Sequence, residues 1–168
     1  VGIGPGSMCT PRIITGCGVP QLTAVALCAK VAQEKNIPII ADGGIKTSGD
    51  IVKALAAGAS TVMLGSILSG SLETPGQIRN GKKEYRGMAS KSAQVSWRGG
   101  VPQGMAPEGE STFVNVKGHV DDVVNELAGG LRSGMSYINA TNLTEVKDKA
   151  KFMEMSGSGI SESHAHGL

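Results

Sequence analysis

Ile37-Pro-Ile-Ile-Ala-Asp42, followed at once by Gly43-Gly44, is the stretch whose reading sets the fold. A short apolar run, bounded by Asn36 and a glycine pair, reads as a strand of a parallel sheet buried on both faces. Downstream, Ser48 precedes a helix over 49–57 that Gly58 closes, and Thr61-Val-Met-Leu64 repeats the short strand before Gly65-Ser66. Upstream, Leu22, Val25, Ala26, Ala29 and Ala32 recur at helical spacing between residues 20 and 35, and residues 1–7 read as a strand end running into a glycine loop. Strands alternating with helices in this way are βα units on a parallel sheet.

Each strand ends in a polar or glycine-rich turn, at residues 4–9, 42–44 and 65–66. In a (β/α)8 barrel such turns gather on the catalytic face. An open doubly wound sheet also puts them at strand ends, so periodicity leaves both architectures standing. A closed barrel takes ~250 residues, and three strands close none. Val1 stands inside an apolar strand, so the chain is expected to be the C-terminal part of something longer.

Composition removes other classes. Sixteen Lys and Arg against fourteen Asp and Glu leave a formal charge of +2 over 168 residues, without the basic excess of a phosphate-backbone binder. Charged residues at 18% and hydrophobic ones at 40% suit neither a disordered nor a highly charged chain. No apolar run reaches the ~20 residues of a membrane span, and no signal-peptide pattern opens the sequence. Neither nucleic acid nor membrane is therefore an expected partner. Glycine contributes 25 residues and aromatics 3%, which means tight turns and backbone-lined sites rather than aromatic anchors. Cys9, Cys17 and Cys28 are odd in number and lack zinc spacing, so a reducing, cytoplasmic setting is expected.

Beyond Leu68 the pattern changes. Residues 71–117 are poor in aliphatic runs and rich in Gly, Pro, Ser and Lys, which reads as a lid or a disordered insertion. A helix is expected over 120–132, with Val120, Val123, Val124, Leu127 and Leu131 on one stripe. A short charged helix over 143–151 follows, then a Gly/Ser/His tail over 152–168 in which His164 and His166 read as solvated.

Cys9 is the strongest chemical candidate. It lies just past Gly4-Pro5-Gly6-Ser7, where backbone N–H groups approach an anion closely and favour a thiolate nucleophile. The alternative is a small buried core cysteine, the reading given to Cys17 and to Cys28 within its helix. Asp42, at the end of a buried strand, must be paired or must hold a ligand, because a bare buried carboxylate is costly. Ribose hydroxyls suit it as donors, and a cap at the top of the strand is the plainer alternative. Gly65 and Ser66, with Ser7 and Gly44, supply N–H groups and hydroxyls of the kind that cradle a phosphate.

These residues form a longer pattern. Gly2-Ile-Gly-Pro-Gly-Ser-Met-Cys9-Thr, Ala41-Asp-Gly-Gly44, Val62-Met-Leu-Gly-Ser66, Tyr85-Arg-Gly-Met88 and Gly129-Gly-Leu-Arg-Ser-Gly-Met135 resemble the inosine monophosphate dehydrogenase / GMP reductase family, in order and over nearly the whole chain. The resemblance implies a (β/α)8 TIM barrel of which this chain is the C-terminal part, about the last three βα units. It implies one catalytic domain over 1–168, with βα units and catalytic loop over 1–70, a flap over 71–117, and the last helix and tail over 118–168. Cys9 would attack C2 of the purine and form a covalent adduct. The adduct of IMP gives hydride to NAD on the way to XMP; in the reductase direction GMP loses ammonia and the adduct receives hydride from NADPH. Asp42 would hold the ribose, and Ser7, Gly44, Gly65, Ser66 and Tyr85 the 5′-phosphate. Gly87, Met88 and Glu108 would face the base, and Gly2 and Gly4 would meet the cofactor. Carbonyls of Gly4, Gly6 and Cys9 look like half of a potassium site, which Glu162-Ser163-His164 of a neighbouring copy completes in a homotetramer.

Some positions depart from the family. Its Thr two residues after the cysteine is Pro11 here, without hydroxyl or N–H. Thr10 is the adjacent hydroxyl and would point elsewhere in an extended loop. No Arg-Tyr pair lies in the flap; its nearest counterpart is Trp97-Arg98, which makes Arg98 a catalytic candidate beside Cys9 and Thr10. The short flap, Gly99-Gly100-Val101 and the spacing to Glu108-Gly109 are similar to the reductases, yet the reductases' Glu after Gly-Met is Lys91 here. Most other motifs resemble the dehydrogenases, so the balance of motifs favours that direction. The competing expectations are a reductase, a purine-nucleotide-binding barrel with impaired catalysis, and a barrel for another phosphorylated ligand.

Overall fold

A computed structural model describes residues 1–165. Its parallel sheet is built around β1 (Ile40–Asp42), which pairs with β2 (Thr61–Met63) so that Ala41 lies opposite Val62. Val1 extends this sheet on the other side of β1. Its amino group donates to Ile40 O at 2.6 Å, and its carbonyl accepts from Asp42 N at 2.9 Å, the parallel-ladder pattern about one residue. The three strand ends expected from the sequence thus lie side by side.

The strand starts at Ile40 rather than Ile37. Ile37 N donates back to Ala32 O at 2.9 Å and Asn36 takes φ of 53°, so these residues finish α2 (Gln21–Glu34); Pro38 has no N–H to give a ladder. Burial on both faces is also corrected. Ala41 is buried, while Ile40 and Met63 are 47% and 50% exposed. Alternate residues of a strand face opposite sides, and only the helical side is covered here.

That side carries the core. Val25 of α2, Ala41, Ile51 and Leu55 of α3 (Ser48–Ala56), Leu127 of α5 (Val120–Tyr137) and Val146 of α6 (Leu143–Lys149) share one buried cluster. Thr47 caps α3: Asp50 N donates to its hydroxyl at 3.3 Å, and the Asp50 carboxylate accepts from Thr47 N at 3.0 Å. Helix α5 outruns its expected end at 132. Gly130 and Gly134 face Ser48 and Val52 so closely that a Cβ on either would overlap them. These two glycines, poor helix formers by propensity, are what let α5 lie against α3. Val124, 46% exposed, falls outside the packed stripe of Val123, Leu127, Leu131 and Met135.

Residues 71–117 are not structureless. They hold β3 (Lys82–Arg86) antiparallel to β4 (Ser111–Asn115), with α4 (Lys91–Arg98) between them. The inward residue of β3 is Lys83, 2% exposed, which hides the strand from hydrophobic periodicity. Cys17 and Cys28 are exposed, which overturns the core reading of both, because Cys28 sits on the uncovered side of α2 and Cys17 in the loop after α1 (Pro11–Thr15). The tail forms a short helix, α7 (Gly157–Glu162). His166 lies outside the described residues. Among the described residues no helix is long and apolar enough to cross a membrane.

Candidate active site

The loop between Val1 and α1 is shaped by missing side chains. Gly2 and Gly4 take φ of 137° and 70°, in the left-handed region that favours glycine. A Cβ on Gly2 would overlap Asp42 O, and one on Gly4 would lie 2.9 Å from Pro11 Cγ. Cys9 N donates to Gly6 O at 3.1 Å, closing a tight turn with Ser7 at its exposed tip. Cys9 is exposed, and a Cβ on Gly6 would approach its Sγ to 3.0 Å, so Gly6 leaves room for the thiol.

A second segment pins this turn. Thr10 N donates to Glu108 O at 3.2 Å and Glu110 N to Met8 O at 2.8 Å, so Cys9 and Gly109 pair as an antiparallel bridge. Gly87 N donates to Glu110 O at 2.9 Å, and a Cβ on Gly87 would stand 3.1 Å from Met8 O. Cys9, Gly87 and Glu108 are thereby gathered, with exposed Met88 next in the chain. Thr10 is not in an extended loop: it precedes α1 with φ of −118° and ψ of 9°, and its hydroxyl caps nothing. Pro11 is the first helical residue, where a missing N–H costs no hydrogen bond.

The turn after β1 lies beneath the loop. A Cβ on Gly43 would come within 2.7 Å of Pro5 Cγ, and one on Gly44 within 3.8 Å of Pro5 Cβ. Gln21 ties the two together, its Nε2 donating to Val1 O at 3.0 Å and to Asp42 O at 3.1 Å. Asp42 is exposed, so burial is not what makes its carboxylate a candidate. That carboxylate makes no hydrogen bond or ion pair with any described residue, and it is available to an incoming donor.

Beyond β2, a cleft of about 530 Å³ is lined by Gly65, Ser69, Tyr85, Arg86 and Met88 among others. A Cβ on Gly65 would lie 3.3 Å from Tyr85 Oη. Ser66 opens the short 3-10 turn Ser66–Leu68 beside it, and its carbonyl accepts from Ser69 Oγ at 2.7 Å. Lys83 fixes this end of the site. Its ammonium donates to Leu72 O at 2.7 Å, Thr74 O at 2.6 Å and Ser71 O at 3.1 Å.

Two groups of expected residues stand apart. Arg98 donates to Gln94 Oε1 at 2.8 Å and lies 4.6 Å over the Trp97 ring, contacts that stay within α4. Glu162, Ser163 and His164 are exposed at the end of α7, where Ser163 Oγ donates to Gly159 O at 2.7 Å. Among the described residues no group of three or more His, Cys, Asp or Glu side chains is placed to hold a metal. A carbonyl site would draw on the loop instead: the Gly4 and Cys9 carbonyls accept no hydrogen bond from a described residue, and Gly6 O accepts one. Sequence reasoning missed Gln21, Arg12 and Lys83, whose partners are distant carbonyls that no motif marks.

Parallel βα units with an exposed thiol, an exposed carboxylate and glycine-lined turns collected at the strand ends define a class: a segment of a parallel βα fold whose polar groups gather at its strand ends. The comparisons narrow it. The family described as IMP dehydrogenase / GMP reductase domain matches residues 1–166, and the chain belongs to that family. Inosine-5'-monophosphate dehydrogenases of Methanocaldococcus jannaschii and Aquifex aeolicus are 51% and 52% identical to it over 100% and 99% of its length. The chain spans 38% and 36% of those two relatives. A GMP reductase variant from Trypanosoma brucei, solved with guanosine 5'-monophosphate, superposes with a TM-score of 0.93 at 46% identity, over 99% of this chain and 36% of that one. The structural likeness supports a partial TIM-barrel region, and no barrel closes within these residues.

Proposed function

We propose that the chain is the C-terminal part of a (β/α)8 barrel, about its last three βα units, that oxidises or reduces a purine mononucleotide through Cys9. The observation that carries this reading is the exposed Cys9 thiol on a turn pinned between Gly6, Gly87 and Gly109, with the Asp42 carboxylate on the adjoining strand end. The Cys9 thiolate forms a bond to C2 of the purine, and hydride then leaves C2. Water attacks C2 of the resulting thioimidate, the C–S bond breaks to return the Cys9 thiol, and the oxidised mononucleotide leaves with its ribose 5′-phosphate intact. Asp42 accepts from the ribose hydroxyls. Gly44, Gly65, Ser66, Ser7 and the Tyr85 hydroxyl meet the 5′-phosphate, and Gly87, Met88 and Glu108 bound the base.

A nicotinamide cofactor, NAD or NADPH, supplies the hydride acceptor or donor. Gly2 and Gly4 would meet it through their backbone, since the positions their side chains would take are filled by Asp42, Gln21, Pro11 and Arg12. The free carbonyls of Gly4 and Cys9 fit half of a potassium site, completed by Glu162, Ser163 and His164 of another copy in a cytoplasmic homotetramer. Thr10 and Arg98 are the remaining candidates for proton transfer at the second half-reaction.

The dehydrogenase direction, IMP to XMP, draws on the names of the two relatives above. The reductase direction, GMP to IMP and ammonia, draws on the GMP-bound structural neighbour. The test is a paired assay of the full-length protein, IMP with NAD and GMP with NADPH, with and without potassium. One pair is expected to turn over, faster with potassium. Cys9→Ala is expected to abolish that turnover while the mononucleotide still binds. Activity surviving in Cys9→Ala overturns the mechanism; binding without turnover in the unaltered protein marks a barrel that has lost catalysis.

A further inference from the structure

Arg12 lies across the base of the loop that presents Cys9. Its Nε donates to Ile3 O at 2.9 Å and an Nη to Val19 O at 2.7 Å, so one planar guanidinium joins the entry of the segment 3–19 to its exit. The side chain passes between two glycines. A Cβ on Gly4 would lie 3.0 Å from Arg12 Cγ, and one on Gly18 would lie 2.7 Å from Cγ and 2.9 Å from both Cδ and Nε. Gly18 has no left-handed φ, so its lack of a side chain is explained by the passage of Arg12 and not by its backbone. We propose that Arg12 is a positioning residue, which acts through the loop to hold Cys9 at the reacting carbon; this rests on the reading of Cys9 as nucleophile.

The physical argument is one of reach. Segment 3–19 carries five of the expected site positions, Gly4, Gly6, Ser7, Cys9 and Thr10, and it contains one short helix. A flexible loop with a free exit would let the sulfur wander, and a misplacement of about 1 Å costs about 10²-fold in rate. A guanidinium spans two carbonyls in a fixed fork, whereas a lysine ammonium is a single point on a flexible stem. Arg12 bonds the Ile3 carbonyl, adjacent to the Gly4 carbonyl proposed for the cation. Its loss therefore also loosens that half-site.

The test is a double-mutant cycle in the full-length protein, with kcat, KM and alkylation of Cys9 by iodoacetamide followed by peptide mass. Arg12→Ala is expected to lower kcat about 10²-fold, with KM for the mononucleotide within about threefold, because of the residues proposed to hold the ligand only Ser7 lies in segment 3–19. Arg12→Lys is expected between the two, and added guanidinium is expected to restore part of the Arg12→Ala loss. Gly18→Ala should lower kcat alone, by pushing Arg12 aside, and should cost nothing further in the Arg12→Ala background. Independent, multiplying losses in the cycle overturn the proposal, as does full kcat in either single variant. Should Arg12→Ala fail to fold, Gly18→Ala with unchanged kcat still overturns it. Cys9 is excluded as the nucleophile only by activity surviving in Cys9→Ala, whatever the cycle shows.

Discussion

Glu73 and His119 are far apart in sequence, yet the Glu73 carboxylate meets His119 Nδ1 at 2.9 Å and accepts from Val120 N at 2.9 Å. His119 precedes α5 but supplies no side-chain cap of its own, and Glu73 does that work from outside the helix. A carboxylate at a helix N-terminus also answers the partial positive charge there. The hydrogen bond from His119 holds Glu73 below its ordinary value, and Glu73 holds His119 above its ordinary value. The raised imidazole contributes stability that is complete below about 6.5 and lost as pH rises through its folded value. The lowered carboxylate contributes above about 4.5 and loses this as pH falls through its folded value. The pair is thus complete between those limits. Glu73→Gln keeps an acceptor for Val120 N and removes the charge, so the His119 midpoint, followed by NMR, is expected to fall toward the ordinary imidazole value. A midpoint that stays raised would assign the shift to Asp121 and Asp122 instead.

At the scale of elements, β3 shows how a strand is held by a cation in place of an apolar face. Lys83 is buried with carbonyls of Ser71, Leu72 and Thr74 around its ammonium. Burying a charge is costly unless its donors are used, and here all three are. Lys83→Met leaves those carbonyls without a donor while keeping the length of the stem. Hydrogen bonds to charged groups contribute roughly 1.5–3 kcal/mol, so the denaturation midpoint should fall by the equivalent of about 3 kcal/mol. An unchanged midpoint would mean that water replaces the ammonium. The same element shows where sequence reading stops. β1, β2, α2 and α3 were legible because aliphatic spacing and capping residues encode them locally. The pairing of β3 with β4 was not, because the inward residue of β3 is a lysine whose partners lie nine to twelve residues upstream. The end of α5 is hidden for a related reason: Gly134 disfavours a helix by propensity, and only its contact with Val52 of α3 shows why it is tolerated.

Over the whole molecule, the placement of the strand ends was more legible than the packing. Cys9, Asp42 and Gly65 stand at strand ends because strand–turn–helix punctuation is written in glycines, and parallel order then places those ends together. What no pattern displays is which side of the sheet is covered. The described residues bury one face of β1 and β2 against helices and leave Ile40 and Met63 in the open, with Ile13, Leu27 and Val31 exposed on the neighbouring helices at 86%, 61% and 62%. β2 also presents an edge with no further strand beside it among the described residues. Exposed parallel edges and contiguous apolar surface drive self-association. The 168 residues expressed alone are therefore expected to keep helical circular dichroism, because the core on the helical side is intact. They should also bind a hydrophobic dye strongly and sediment as concentration-dependent aggregates. The full-length protein should bind the dye far less, its remaining elements covering Ile40 and Met63. A monodisperse, dye-silent isolated chain would show that helices and sheet close over that face in solution, and the barrel reading of the open side would then fail.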